Sequence, residues 1–302
     1  RELAGEGCRV AICARDAAEL DRARAELEAA GAEVMTYVCD VGDQAQVEAM
    51  IAEVSDCFGR VDLLINNAGI ITVGAVEAMT VEDFRKAMDV DFWGVVYPTL
   101  TVLPQMKRRR RGRIVNITSM GGKISMPHFL PYNSAKFAAV GFSEGLHAEL
   151  APDGIKVTTV VPGEMQTGSH LHAEFAGDKE KEYRWFALGA SAPFTMRADR
   201  AARIIVRGIK RGTPELTYPI SAKLAARLNG LFPGATAGIL SVVDRLLPDA
   251  EGRRGNATAG GEVQAEIGSP ALDKATTLGQ NASEQFNQYP APGQPAPSPS
   301  GD

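Results

Sequence analysis

Histidine and cysteine are both scarce, at four residues each in a chain of 302. The cysteines, Cys8, Cys13, Cys39 and Cys57, all fall in the first 57 residues without metal-type spacing, and two of them sit inside apolar runs. That pattern points to buried thiols in a reducing, cytosolic compartment. The histidines at 128, 147, 170 and 172 have no carboxylate at metal-site spacing, so no metal site is expected. No stretch reaches the roughly 18 apolar residues that would cross a bilayer, and nothing resembles a signal peptide. Positive charge is not in excess either. A net charge of −5 argues against a general nucleic-acid binder. The longest basic run, Lys107 to Arg111, falls where a long helix should end and complements the helix dipole there. From 250 to 302 the chain is rich in Gly, Ala, Ser, Pro, Gln and Asn and has little to bury. It reads as a disordered tail behind a domain at 1–249.

Within that domain, apolar strand-like runs alternate with helical segments. CRVAICA (Cys8 to Ala14) is followed by a helix that closes at Gly31, and EVMTYVCD by a helix from Asp43 that closes at Gly59. VDLLIN comes next, and then a long helix that opens at Thr80 and Asp83, a capping box with Asp in place of Glu, and runs to about Arg109. RIVNITS, a helix from Tyr132 to Leu150, and IKVTTVV complete the series. Apolar strands alternating with helices predict an α/β fold: a doubly wound, Rossmann-like parallel sheet that binds ligands at the carboxyl ends of its strands.

The polar residues at those strand ends are informative as a set. Arg15 follows the first strand, Asp40 and Val41 the second, and Asn66-Asn67-Ala68-Gly69 the third. Ser119 ends the fourth, thirteen residues before Tyr132, which has Lys136 four positions on. Pro162 and Gly163 follow the fifth, with Thr167 four residues past the glycine. Five polar strand ends on one edge of a sheet describe a dinucleotide site with chemistry at one end.

Taken together, NNAG after a strand, Ser119 ahead of a YxxxK motif, and PG followed by Thr167 resemble the short-chain dehydrogenase/reductase family, from residue 1 to about 247. The resemblance implies an oxidoreductase that interconverts an alcohol and a carbonyl by hydride transfer. Tyr132 would be the general acid/base, Lys136 its activator and Ser119 the hydrogen-bond donor to the substrate oxygen. Asp40, Val41, Asn67, Ala68 and Gly69 would form the adenosine edge, and Pro162 to Thr167, Met165 included, the nicotinamide edge. Physical chemistry agrees with these roles. A phenol is a poor base at neutral pH, but positions 132 and 136 share a helix face, and an ammonium beside the ring favours phenolate. Cofactor choice turns on the residue after the first strand. The family's NAD-binding acidic residue is replaced by Ala14, and Arg15 follows, a guanidinium suited to a 2′-phosphate. NADP is therefore favoured over NAD.

Two departures from the family pattern stand out. Asp91 occupies the place of an Asn that supports a water chain to the lysine, which makes it a further candidate in proton transfer. The family's opening strand and glycine-rich TGxxxGxG loop do not occur in this chain, which starts RELAGEG. The expectation is that both precede Arg1 and that the sheet lacks its first strand without them. Residues 164–195 should form a lid whose Met165, Phe175, Tyr183, Trp185 and Phe186 suit an apolar small-molecule substrate, with His128 as a wall residue. The apolar helices from Ala222 to Leu247, split at Pro233, are expected to pack against the sheet rather than touch a membrane surface or partner. Homo-oligomerisation stays open. The competing function is a non-catalytic dinucleotide-binding or scaffold protein on the same fold.

Overall fold

The computed structural model describes residues 1–191, 195–250 and 257–287. Four parallel strands form the main sheet in the order Glu215–Tyr218, Ile155–Pro162, Gly112–Ile117, Leu63–Asn66. Val10–Ala14 and Val34–Val38 pair with each other in a second parallel sheet. Among the described residues no strand joins the two, and the break falls where the sequence led us to expect a further strand. Burial follows the break. The Ile155–Pro162 strand is buried at all but one position, whereas Leu63–Asn66 and Val10–Ala14 are mostly half-buried.

The helices form where their caps place them. Asp16 and Asp43 accept backbone N–H groups at the starts of Ala17–Ala29 and Gln44–Phe58, and Gly59 ends the second helix at φ 81°, a left-handed conformation that glycine adopts without strain. Thr80 and Asp83 make the expected capping box at the head of Val81–Met88. The long helix predicted from Thr80 to Arg109 is continuous but widens to a π-turn at Asp89–Trp93 before resuming as Gly94–Arg109. Its basic end is anchored: Lys107 pairs with Asp153 at 3.2 Å, and Arg109 donates to the Val61 carbonyl at 2.8 Å. The core beneath the sheet includes Val47, Ile51, Val102, Met106, Ile114, Ile155 and Val157.

The segment expected as a lid includes helix Lys179–Ala190, with Phe175, Tyr183, Phe186 and Ala187 in a second apolar cluster. Residues 192–194, which include Phe194 of the expected lid, lie outside the described residues. The tail departs from its expected disorder. Thr258–Ala259 pairs antiparallel with Glu174–Phe175, and helices Gly260–Ile267, Pro270–Ala275 and Thr277–Gln285 follow. Val263 and Leu272 complete the lid cluster. A few well-spaced apolar residues suffice because the lid already presents an apolar face to receive them, which composition alone does not reveal. Residues 251–256 and 288–302 of the expected tail are outside the described residues.

His170 is wholly buried in this region, and neither ring nitrogen has a hydrogen-bond partner among the described residues. Desolvation depresses its pKa to about 4, against a weaker pull upward from the Thr167 carbonyl. The unfolded ring takes up a proton as pH falls below about 6.5, whereas the folded ring stays neutral to about 4. Its contribution is thus present above pH 6.5 and is lost between the two values, up to roughly 3 kcal/mol. His170→Gln should flatten the fall in melting temperature over that pH window. Parallel curves for parent and variant would show that this histidine is not the titrating group.

Of the two helices expected to pack against the sheet, only the first meets it, beside strand Glu215–Tyr218, and the second packs on the first. Ile220–Leu231 buries a single residue, Ala222, and Pro233–Asp244 buries none.

Candidate active site

A chain of buried polar groups holds the site from below. Asn66 Nδ2 donates to Asn116 Oδ1 at 2.8 Å and to Thr99 Oγ1 at 3.1 Å. Asn116 Nδ2 donates to Ser143 Oγ at 2.9 Å, and Ser143 shares a 2.7 Å hydrogen bond with Thr159. The chain ties three adjacent strands to helix Leu130–Leu150 at a fixed height, and no polar atom named in it is left unpaired. The sequence analysis did not identify this network. Its only sequence signal is Asn or Thr at inward positions of apolar strands.

On the same helix, Tyr132 and Lys136 share one face, and Lys136 Nζ lies 5.6 Å from the centre of the Tyr132 ring. Ser119 caps the short turn after the fourth strand, where its Oγ accepts the Gly121 N–H at 3.0 Å. Close approach is possible because residues 121 and 122 are glycine. A Cβ on Gly121 would come 2.6 Å from Asn133 Oδ1, and one on Gly122 would come 2.6 Å from the Lys136 carbonyl. Asn133 in turn donates to the Met126 carbonyl at 2.7 Å, which holds the loop to the helix.

The π-turn brings Asp91 into the same space. It is wholly buried, with Oδ1 3.0 Å from Lys136 Nζ and accepting the Ile70 N–H at 3.2 Å, while Oδ2 has no hydrogen bond among the described residues. Desolvation pushes the Asp91 carboxyl above its usual range despite the ammonium beside it. Desolvation also works against the Lys136 ammonium, but the Asp91 carboxylate and Tyr132 outweigh it, and the lysine pKa ends above its ordinary value. The Tyr132 phenol ends raised. Burial is the main cause, Lys136 and the Ser119 hydroxyl oppose it, and the carboxylates of Asp91 and Glu164 add to it. The lysine's expected lowering of this phenol is therefore outweighed here, by burial first and by the Asp91 carboxylate after it. Ser119, Tyr132, Lys136 and Asp91 thus lie together in one place.

The candidate cofactor residues lie along the strand ends. Asn67, Ala68 and Gly69 form an exposed ledge next to Asp91, so close that a Cβ on Gly69 would stand 2.6 Å from Asp91 Oδ1. Asp40 Oδ1 accepts the Gly42 N–H at 2.8 Å, and Val41 packs against the Gly94 backbone. Arg15 is exposed and makes no hydrogen bond or ion pair among the described residues, while its neighbour Asp16 is taken up by capping a helix. Across the sheet, Gly163 N–H donates to the Tyr218 carbonyl at 2.7 Å, which places Pro162 and Gly163 at the floor. Met165 lies in a short strand paired with Met196, and Thr167 Oγ1 accepts the Ser169 N–H at 3.3 Å. An open ledge, a guanidinium without a partner and a carboxylate at the second strand end fit the adenosine half of a dinucleotide.

A wall of the cleft shows a pairing that the sequence analysis missed. His128 Nδ1 lies 2.7 Å from Glu182 Oε1, and Glu182 Oε2 accepts Trp185 Nε1–H at 2.6 Å. His128 and Glu182 are both buried, so the loop after Ser119 is tied to the lid helix.

A parallel sheet with an open ledge at its strand ends and a helical tyrosine–lysine pair beside it belongs to the dinucleotide-binding α/β class. The chain matches the family model described as short chain dehydrogenase over residues 1–174, and it belongs to that family. It is 39% identical over 181 residues to a putative ketoacyl reductase of the granaticin polyketide synthase of Streptomyces violaceoruber, a match covering 59% of this chain. The chain spans 66% of that reductase, just under two thirds of its length. Its fold is similar to the crystal structure of a short chain dehydrogenase/reductase from Burkholderia phymatum in complex with NAD, with a TM-score of 0.71 at 25% identity over 76% of this chain and 87% of that one. It is also similar to ElxO with NADP bound, with a TM-score of 0.61 at 25% identity over 72% of this chain and 89% of that one. No helix among the described residues is long and apolar enough to cross a membrane.

Proposed function

We propose that the protein is an NADP-dependent oxidoreductase that interconverts an alcohol with a ketone or aldehyde, with Tyr132 as its general acid/base. The observation that carries this is the meeting of Ser119, Tyr132 and the buried Lys136–Asp91 pair at the strand ends, beside the open Asn67–Gly69 ledge. Arg15, Asp40, Val41, Asn67, Ala68 and Gly69 would hold the adenosine half of the cofactor, and Pro162, Gly163, Met165 and Thr167 the nicotinamide half. The bound cofactor supplies the hydride in the reducing direction.

The chain's own groups handle the proton. The raised phenol of Tyr132 keeps its proton at neutral pH and donates it from Oη to the carbonyl oxygen. Ser119 Oγ accepts the Gly121 amide and its hydroxyl bonds Tyr132, so its hydrogen can turn to the substrate oxygen beside them as charge develops there. Lys136, held by Asp91, keeps a positive charge beside the ring in the step that leaves Tyr132 as phenolate. In the alcohol-oxidising direction, where Tyr132 takes up the hydroxyl proton, Asp91 Oδ2 is placed to receive a proton passed on through Lys136. The aromatic lid, with Phe129 and Trp185 edge-on at 5.5 Å, favours a substrate with an apolar body.

The test is a screen of ketones and aldehydes that follows NADPH absorbance. Absence of turnover together with absence of NADPH binding in calorimetry would overturn the proposal. Cofactor choice has its own test. Arg15→Leu should weaken NADPH by about tenfold to a hundredfold, the worth of a hydrogen-bonded charge pair, and leave NADH nearly unchanged. Equal losses for both cofactors would show that Arg15 does not read the phosphate.

A further inference from the structure

Seventeen large apolar side chains are exposed among the described residues, and eight of them lie between Ile220 and Leu246. This segment is a helical hairpin of Ile220–Leu231 and Pro233–Asp244. On the first helix Ile220, Leu224 and Leu228 recur every fourth residue, so they form one outward stripe. Its opposite face meets the body of the protein, where Ala222 is buried and Asn229 Nδ2 donates to the Lys123 carbonyl at 2.8 Å. On the second helix Ile239 and Val242 are exposed, with Leu246 just past its end, while Leu240 and Val243 are turned partly inward. Leu231 and Phe232, both exposed, bridge the two at the bend. Exposure is extreme for apolar residues: Ile220 is 86% and Leu246 82% accessible. Single exposed apolar residues are ordinary, but a connected set on one hairpin marks a surface that meets something else.

Charge decides between the possible occupants. From Ile220 to Leu246 the chain carries three cations, Lys223, Arg227 and Arg245, against one carboxylate, Asp244. By helical spacing Arg227 borders the outward stripe and Lys223 lies just beside it. Asp244 is turned the other way, 3.7 Å from His128 Nε2. The hairpin is thus locally cationic on a chain whose net charge is −5. A second copy docking here about a two-fold axis would set like charges against each other. An anionic lipid surface offers both what the apolar residues lack and what the cations seek: an apolar layer beneath a negative headgroup plane. At 12 residues each, the helices are too short to span a bilayer but suited to lie along its surface.

We propose that the Ile220–Leu246 hairpin docks the protein on anionic membrane surfaces, with its exposed apolar residues in the interface and Lys223, Arg227 and Arg245 at the headgroups. Its test is co-sedimentation of the full chain with phosphatidylcholine vesicles, with and without phosphatidylglycerol. Binding should appear with the mixed vesicles and weaken at high salt. It should fall by about tenfold or more in Leu224→Asp with Ile239→Asp, and likewise in Lys223→Glu with Arg227→Glu. All four side chains face solvent, so the melting temperature should not move, and the salt and lipid dependence of the parent protein is read without any variant. Three results would overturn the proposal. One is no sedimentation with either vesicle, and another is binding indifferent to the substitutions. The third is a vesicle-free dimer dissociated by the same changes, which would assign the face to a second copy.

Discussion

Tyr132→Phe should abolish turnover while leaving the melting temperature where it is. The change removes one oxygen. The ring stays against Gly121 and below Lys136, so packing is kept. What is lost is the group proposed to exchange a proton with the substrate oxygen, an effect worth on the order of a hundredfold to ten-thousandfold. Ser119 cannot take its place, because an aliphatic hydroxyl beside it has no comparable acidity. Steady-state rates and a thermal melt on the same preparation check both halves. Retention of a tenth or more of the parent turnover would remove Tyr132 from its proposed role.

Lys136→Met should be damaging in a different way. Asp91 is wholly buried and Lys136 nearly so, and each is the other's main source of compensation. Removing the ammonium leaves a carboxyl in a dry cavity with only the Ile70 amide for company. Breaking such a pair costs about 3–5 kcal/mol, a large share of the roughly 5–15 kcal/mol that holds an ordinary domain together. A second substitution separates stability from chemistry. Asp91→Asn in the Lys136→Met background keeps an acceptor for Ile70 and removes the stranded charge, so the urea midpoint should recover most of its loss while turnover stays absent. A single variant as stable as the parent, or a double variant no better than the single, would contradict the coupling of these two groups.

Much of this was legible in the sequence because it rests on short-range rules. The caps at Asp16, Asp43 and Thr80 and the alternation of apolar runs locate most of the main strands and helices, and the four-residue spacing of Tyr132 and Lys136 puts both on one helix face. The strand Glu215–Tyr218 and the helix Ala198–Arg211 were not identified, although the helix has an apolar side that packs under the sheet. What local pattern cannot show is pairing across the chain. Asn66 finds Asn116 fifty residues away, and His128 finds Glu182 across the cleft. The tail's fate depends on whether a surface elsewhere accepts Val263 and Leu272, and which face of the 220–246 hairpin is left exposed depends on what the first helix packs against. Each of these is a property of the assembled fold, not of a window of residues.

The wide turn at Asp89–Trp93 has a consequence for how this site tolerates change in length. A π-turn holds one residue more than the α-helix on either side of it needs. Excising a single residue there would let the helix close into regular α geometry, with Val81–Met88 and Gly94–Arg109 both keeping the phase of their apolar faces. The scaffold would hardly register the loss. Asp91 would be swung away from Lys136, and with it would go the only carboxylate among the described residues in contact with that ammonium. At this point of the chain the fold is permissive in residue count and the chemistry is not, because the spare residue belongs to the site.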